Sequence, residues 1–400
     1  MRNLLFAGAA IAALSTGTAQ AQMSDGVIKI GMLSDRSGIY ADINGEGSAV
    51  AARIAAEEFG NAINGTRIEI IVGDHQNKAD VAANLARQWI DTEKVDVVAD
   101  VPNSAAALAV QVITRDKKRI FLMSGPGSTD LTGKECSPYG FHWTWDNHAV
   151  ASATARALVE QGRKSWFFVT ADYAFGHSLE AEAASTVKQL GGTIKGSVRH
   201  PLGASDFSSF LLQAQASGAD VVAFANAGGD TINAVKQAAE FGLPQGGQTM
   251  AGLLLNINDV HALGLDVSQG LMLANSFYWD MTDDTRAWSK TFEQRTGRKP
   301  SMNQAGVYSS VRHYLKAVQE AGTDAADTVA AKMRAAPVTD MMMKNAKIAE
   351  NGRVFGDMYL AQVKTAADSK APWDYFKILK AIPGEQAYIA PKDSGCPLVK

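Results

Sequence analysis

The chain has 400 residues, 46% of them hydrophobic and 20% charged, and a formal net charge of -3. That composition supports packed cores and excludes a disordered chain. The slight acidity, with no run rich in Lys or Arg, excludes a nucleic-acid binder.

Residues 1–21 read as a secretory signal peptide. Arg2 gives a positive start, Leu4 to Leu14 an apolar stretch, and Ala19-Gln20-Ala21 a small-x-small cleavage site before Gln22. Ser15, Thr16 and Thr18 break the apolar run short of a membrane span. The expected mature protein is soluble and exported.

The mature chain alternates apolar strands with amphipathic helices. "VIKIGML" is followed by a helix over "GSAVAARIAAEEF", then "RIEIIVG" and the helix "NKADVAANLARQWI", for which Asn77 and Asp80 predict a capping-box start. Next come "VDVVADV", a helix opened by Ser104, and the strand "IFLM" at Ile120–Met123. After Trp145 the rhythm restarts. A helix over 149–160 leads to "SWFFVT", a helix over 179–190, "TIKGSVRH", a helix over 207–216, "ADVVAFAN" and a helix over 231–241. "TMAGLLL" and "GLMLANSFYW" read as the last strands of this half. Helices near 286–294 and 304–321 and two extended segments, "VFGDMYLAQVK" and "DYFKILKAI", complete the chain. Strands this apolar, separated by helices, predict parallel sheets covered on both faces. The length exceeds what one core usually supports, so the expected fold class is α/β with two doubly wound lobes.

Catalytic constellations are missing. "GEGSAV" lies well past its strand and carries Val50 where a dinucleotide fingerprint needs Gly or Ala. No G-x-S-x-G elbow or Walker loop occurs, and the seven histidines are scattered without metal-ligand spacing. No enzyme, cofactor or metal site is expected.

Binding features are present. Asn103 and Ser104 start a helix just beyond a buried strand, where free backbone N–H groups suit an anion. The neighbouring strand end, "SGPGSTD", adds Ser128 and Thr129. Ligands of doubly wound folds bind beyond such strand ends, so the two loops together predict a carboxylate site, although each alone also reads as an ordinary cap or turn. Trp145, Tyr173, Phe175 and Tyr278 fall at strand ends or at lobe crossings, where aromatic walls suit an apolar ligand body.

The ordered set "IGMLSDRSGIYA", "DHQNKADVAANLAR", "VDVVADVPNSAAALAV", "SGPGSTDLTGKECSPYGFHW", "DYAFGHSLE", "NAGGDTINAVKQAAEFG", "GRVFGDMYLAQVK" and "CPLVK" resembles the type I periplasmic solute-binding proteins of ABC importers, in their leucine/isoleucine/valine-binding branch. The resemblance implies two Rossmann-like lobes joined by a three-crossover hinge near Trp145, Tyr278 and Val354. Residues 22–146 plus 278–354 would form lobe 1, 147–277 plus 355–383 lobe 2, and 384–400 a tail returning to lobe 1. It implies a ligand enclosed by Tyr40, Asn103, Ser104, Ser128, Thr129, Trp145, Tyr173, Phe175, Asn226, Asn256 and Tyr278, and membrane permease subunits as partners of a monomer. Relatives that bind amino acids place an acid just after the strand matching "TMAGLLL". Here that region reads Leu253 to Asn258 and the first acid is Asp259, which favours a carboxylate with an uncharged aromatic or aliphatic body. The acids Asp172 and Asp230 keep an amino acid open as the alternative, and a ligand sensor signalling to a membrane partner is the other. Two cysteines exported together, Cys136 and Cys396, predict one disulfide.

Overall fold

The structure, a computed structural model, describes residues 23–400. The expected signal peptide lies outside the described residues.

In chain order the elements are β1 (Val27–Ser34), α1 (Gly45–Glu57), β2 (Ala62–Ile63), β3 (Thr66–Asp74), α2 (Ala79–Asp91), β4 (Val97–Asp100), α3 (Ser104–Asp116), β5 (Ile120–Met123) and β6 (Gly140–His142). They form a sheet ordered β2-β3-β1-β4-β5-β6, parallel except for the β2–β3 hairpin. Then follow α4 (Asn147–Glu160), β7 (Ser165–Ala171), α5 (Ala174–Gln189), β8 (Thr193–His200), α6 (Ser208–Ala216), β9 (Val221–Ala225), α7 (Gly229–Glu240) and β10 (Thr249–Gly252). Their sheet is parallel, ordered β10-β9-β7-β8. After α8 (Ile257–Leu263), α9 (Leu265–Ser268) and β11 (Met272–Asn275), the chain returns to the first lobe as α10 (Asp283–Thr296), α11 (Met302–Ala321) and α12 (Ala326–Ala335). β12 (Met358–Val363) and β13 (Phe376–Ile382) complete an antiparallel sheet, β11-β12-β13. β11 therefore pairs with β12 and does not extend the parallel sheet.

Each parallel sheet is buried on both faces, which is why β4, β5 and β9 have no exposed residue. Three crossovers join the lobes, at 143–146, 276–282 and 355–357. Arg353 ties the first crossover to the segment that leads into the third. Its guanidinium is 1% exposed and donates to the carbonyls of Trp143 (2.7 Å), Trp145 (2.8 Å) and Val354 (3.1 Å). It also lies 4.3 Å from the ring centre of Tyr388 in the tail, which a disulfide between Cys136 and Cys396 fastens to the first lobe.

Two local expectations need correction. Asn77 does not cap α2. It sits in a turn at φ 58°, its carboxamide turned to Asn103, and the helix begins after Lys78 without a side-chain cap. α5 begins at Ala174, five residues earlier than expected, so Tyr173 precedes the helix directly. That tight strand-to-helix turn needs Gly176, because a Cβ there would lie 2.1 Å from the Ala171 carbonyl oxygen.

Candidate functional site

Both parallel sheets reverse winding direction beside their first strand, and the ends at those points face each other. From the first lobe come the loops after β1, β4 and β5; from the second come those after β7, β9 and β10. Between them lies a narrow, partly open space of about 10 Å³, room for about one water, lined by Tyr40, Ile43, Asn44, Pro102, Gly125, Trp145, Tyr173, Phe175, Ala227, Leu254 and Asn303. None of these is charged.

The walls are aromatic. Trp145 meets Phe175 edge-on at 6.2 Å, and Tyr173 packs on Phe175 at 5.8 Å. The hydroxyls of Tyr40 and Tyr173 hydrogen-bond across the lobes. Burial raises both phenols well above their ordinary range, so both stay protonated. Beside them the Gly229 amide donates to the Ile39 carbonyl at 3.1 Å. Gly228 permits this approach: it has φ 56°, and a Cβ there would lie 2.4 Å from the Ile39 carbonyl oxygen.

The polar side of the cavity is a chain of buried hydrogen bonds. Trp145 Nε1 donates to Asn303 Oδ1 (2.7 Å), Asn303 Nδ2 to Asn44 Oδ1 (2.9 Å), and Asn44 Nδ2 to Asp100 Oδ1 (2.6 Å). Ser34 donates to the other Asp100 oxygen at 2.8 Å. Burial pushes the Asp100 carboxyl up to about 6, against the opposing pull of these bonds. Asp100 and Val101 both have positive φ, 80° and 53°, an uncommon conformation for a β-branched residue. The Asp100 side-chain bonds and the Val101 N–H to Leu33 carbonyl bond (2.8 Å) hold that strained turn at the cavity edge.

Of the residues singled out from sequence, Tyr40, Trp145, Tyr173 and Phe175 line this space. The others lie outside its lining. Asn103 caps α3 through the Ala106 amide at 2.9 Å. Ser104 Oγ accepts from the amides of Gly127 and Ser128, both at 3.2 Å, so the two hydroxyl loops engage each other just behind Pro102 and Gly125. Thr129 reaches across to the second lobe, with Oγ1 3.3 Å from Glu182 Oε1. Asn226 is tied to Thr231 (2.8 Å) and His200 (3.2 Å). Asn256 is fully buried at the start of α8, where it forms a capping box with Asp259, its amide donating to Asp259 Oδ2 at 2.7 Å. Tyr278 turns away to the carbonyl of Trp373 at 3.2 Å. Asp172 stands outside, hydrogen-bonded to His177, whereas Asp230 is 1% exposed. Asp230 Oδ2 accepts from the Gly203 amide at 3.1 Å, Oδ1 has no partner among the described residues, and burial pushes the carboxyl up to about 6.

Sequence reading missed Asn44 and Asn303, the two carboxamides of the lining. The "SMNQ" capping box at Ser301 marked the start of α11, but nothing local showed that this helix end would meet the loop after β1.

Known proteins share this arrangement. The pattern described as periplasmic binding protein matches residues 27–370. A periplasmic binding protein from Burkholderia mallei is 47% identical, covering 94% of this chain and 99% of its own, with a TM-score of 0.92. A branched chain amino acid ABC transporter periplasmic ligand-binding protein from Burkholderia xenovorans is 37% identical, with 93% and 100% covered and a TM-score of 0.83. The Leu/Ile/Val-binding protein homolog 6 of Brucella melitensis is 26% identical over 345 residues, 83% of this chain and 85% of that protein. With two lobes, three crossovers and a cavity at facing strand ends, the chain belongs to the periplasmic binding protein family.

Proposed function

We propose that this protein captures a small organic carboxylate with an uncharged aromatic or aliphatic body and presents it, as a periplasmic monomer, to the permease subunits of an ABC importer. The observation that carries the ligand class is the lining, aromatic and apolar with Asn44 and Asn303 as its only carboxamides and no charged side chain. For the carboxylate end, the amides of Gly127 and Ser128 converge on Ser104 at the start of α3. The Ser104 hydroxyl accepts both and keeps its own proton to donate. Ser128 and Thr129 follow on the same loop. The name of the Burkholderia xenovorans protein supports the importer and the carboxylate head group.

An amino acid is the second reading. The unpartnered oxygen of buried Asp230, close enough to Tyr40 and Tyr173 to raise their phenols further, favours it as a place for an ammonium group.

Leucine and 4-methylpentanoate share one carbon skeleton and differ only in that ammonium, so thermal shift with both, alongside benzoate and phenylacetate, separates the readings. A ligand at a hundred times its Kd adds about 2.7 kcal/mol, a shift of a few degrees. The proposal expects stabilisation by the deaminated acid or the aromatic acids. Stabilisation by leucine alone, abolished in Asp230→Asn, would establish the second reading instead. No shift with any of the four overturns both.

A further inference from the structure

Of the twelve methionines described, eight are buried, and only Met23, Met281, Met341 and Met342 are half-exposed. Three of those four line a single cavity, together with buried Met343. It has a volume of about 300 Å³, partly open to solvent, and its wall includes the hinge itself, from Ser276 and Phe277 in one crossover to Phe355 and Gly356 in another. Accessible thioethers are thus gathered where the lobes are joined.

They are also mechanically connected to that hinge. Met281 Sδ accepts the Tyr278 amide at 3.3 Å inside the second crossover. A Cβ built on Gly356 would lie 3.1–3.3 Å from Met343, so the thioether is pressed on the third. Asp340 shapes the methionine run by accepting the amides of Met342 (2.8 Å) and Met343 (2.9 Å). Its other oxygen accepts from Ser309, which in turn accepts from Trp143 Nε1 at 2.8 Å in the first crossover. The Ser276 hydroxyl, 4% exposed and without a partner among the described residues, lines the same cavity and would be a ready donor to a new oxygen.

We propose that Met281, Met341 and Met342 form an oxidation-sensitive modification site that alters lobe closure. The oxidant is a hydroperoxide. The sulfur lone pair attacks its terminal oxygen, an S–O bond forms as the O–O bond breaks, and the leaving oxygen departs as water (or an alcohol) after taking the proton. The thioether becomes a sulfoxide, and the peroxide is reduced. The new oxygen is polar and takes space in the apolar part of the cavity, and at Met281 it replaces sulfur as the acceptor for the Tyr278 amide. Crossover geometry then shifts, and with it the balance between open and closed lobes.

The test uses the full mature chain and hydrogen peroxide. Peptide mass spectrometry should show these three residues gaining oxygen roughly tenfold faster than the buried Met272, Met302 and Met358. Small-angle scattering should show a larger radius of gyration after treatment, reversed by methionine sulfoxide reductase and absent in the Met281→Leu/Met341→Leu/Met342→Leu variant. If that variant does not fold, the reductase reversal on the unaltered chain decides. Equal oxidation at buried methionines, or full oxidation of the three with an unchanged profile, overturns the proposal.

Discussion

Replacing Arg353 with Met tests whether one buried cation holds the hinge. The substitution keeps most of the apolar stem and removes a guanidinium that is 1% exposed. Three carbonyls lose their donor, those of Trp143 and Trp145 in the first crossover and that of Val354. Asp146, whose carboxylate sits 3.7 Å from the guanidinium while capping α4 through the Ala149 amide, loses its compensating charge. Removing one partner of a buried pair costs about 3–5 kcal/mol, and two or three orphaned carbonyls at about 1–3 kcal/mol each, partly relieved by relaxation, reach the same range. Burial already raises the Asp146 carboxyl against the pull of Arg353, so without Arg353 it rises further. The cost should therefore shrink toward acid pH, where the carboxyl is neutral in both states. Urea unfolding followed by tryptophan fluorescence reads this out, since Trp143 and Trp145 are themselves buried at the junction. Arg353→Met should lower stability by about 3–5 kcal/mol at pH 7, and adding Asp146→Asn should recover part of that loss, because coupled neighbours are not additive. A loss under about 1 kcal/mol, or strict additivity with Asp146→Asn, would refute the reasoning.

Replacing both Cys136 and Cys396 with Ser opens a loop closed across 260 residues, for which chain entropy gives roughly 5–6 kcal/mol as an upper value; an unchanged urea midpoint would show that the tether contributes nothing. Burial pushes Asp96 up to about 7 although the Lys29 amide donates to it at 2.8 Å. Native Asp96 thus binds its proton more tightly than the unfolded chain does, and stability falls as pH rises from about 4 to about 7. Asp96→Asn keeps an acceptor for Lys29 and should raise the Tm at pH 8 while leaving it unchanged at pH 4; a lower Tm at pH 8 would contradict this account. For His148, burial disfavours the charged ring, but the 2.8 Å Glu182 bond and the charges of Asp146 and Glu182 outweigh it and raise its pKa. Its stabilisation is complete below about 6.5 and fades as pH rises through the raised value, so His148→Gln should cost more at pH 6 than at pH 9 in thermal melts. Equal losses at both would exclude the charged pair.

Much of the fold was legible because the strands are apolar on both faces and stand between amphipathic helices, a pattern with few solutions besides parallel sheets. The aromatic cavity wall was legible for a related reason. Trp145, Tyr173 and Phe175 stand where a strand or crossover ends and a helix begins, and doubly wound sheets direct such ends toward one crevice. The pairing of β11 with β12 was hidden, since "GLMLANSFYW" carries no mark of strand direction.

The polar half of the cavity shows where sequence reasoning reaches its limit. Asn103 and Ser104 have the chemistry of a ligand cradle, but a residue that satisfies an orphan amide at a helix start is drawn from the same small set as one that binds an anion. Sequence cannot separate the two uses, and in the structure Asn103 spends its oxygen on the Ala106 amide while Ser104 accepts from Gly127 and Ser128. Asn44 and Asn303 present the opposite case. They lie 259 positions apart and meet only because α11 returns from beyond the second lobe to pack on α1. Neither has a local signature, since one sits in the loop before α1 and the other in the first turn of α11. What selects them is a long-range constraint. Asp100 is buried at a strained turn, its charge is tolerated only with donors on both oxygens, and Ser34 supplies one. Asn44 must supply the other, and its own oxygen then requires Asn303, which in turn holds the indole of Trp145 at the cavity wall. The aromatic wall of the cavity is therefore positioned by a chain of amides that begins at a buried carboxylate.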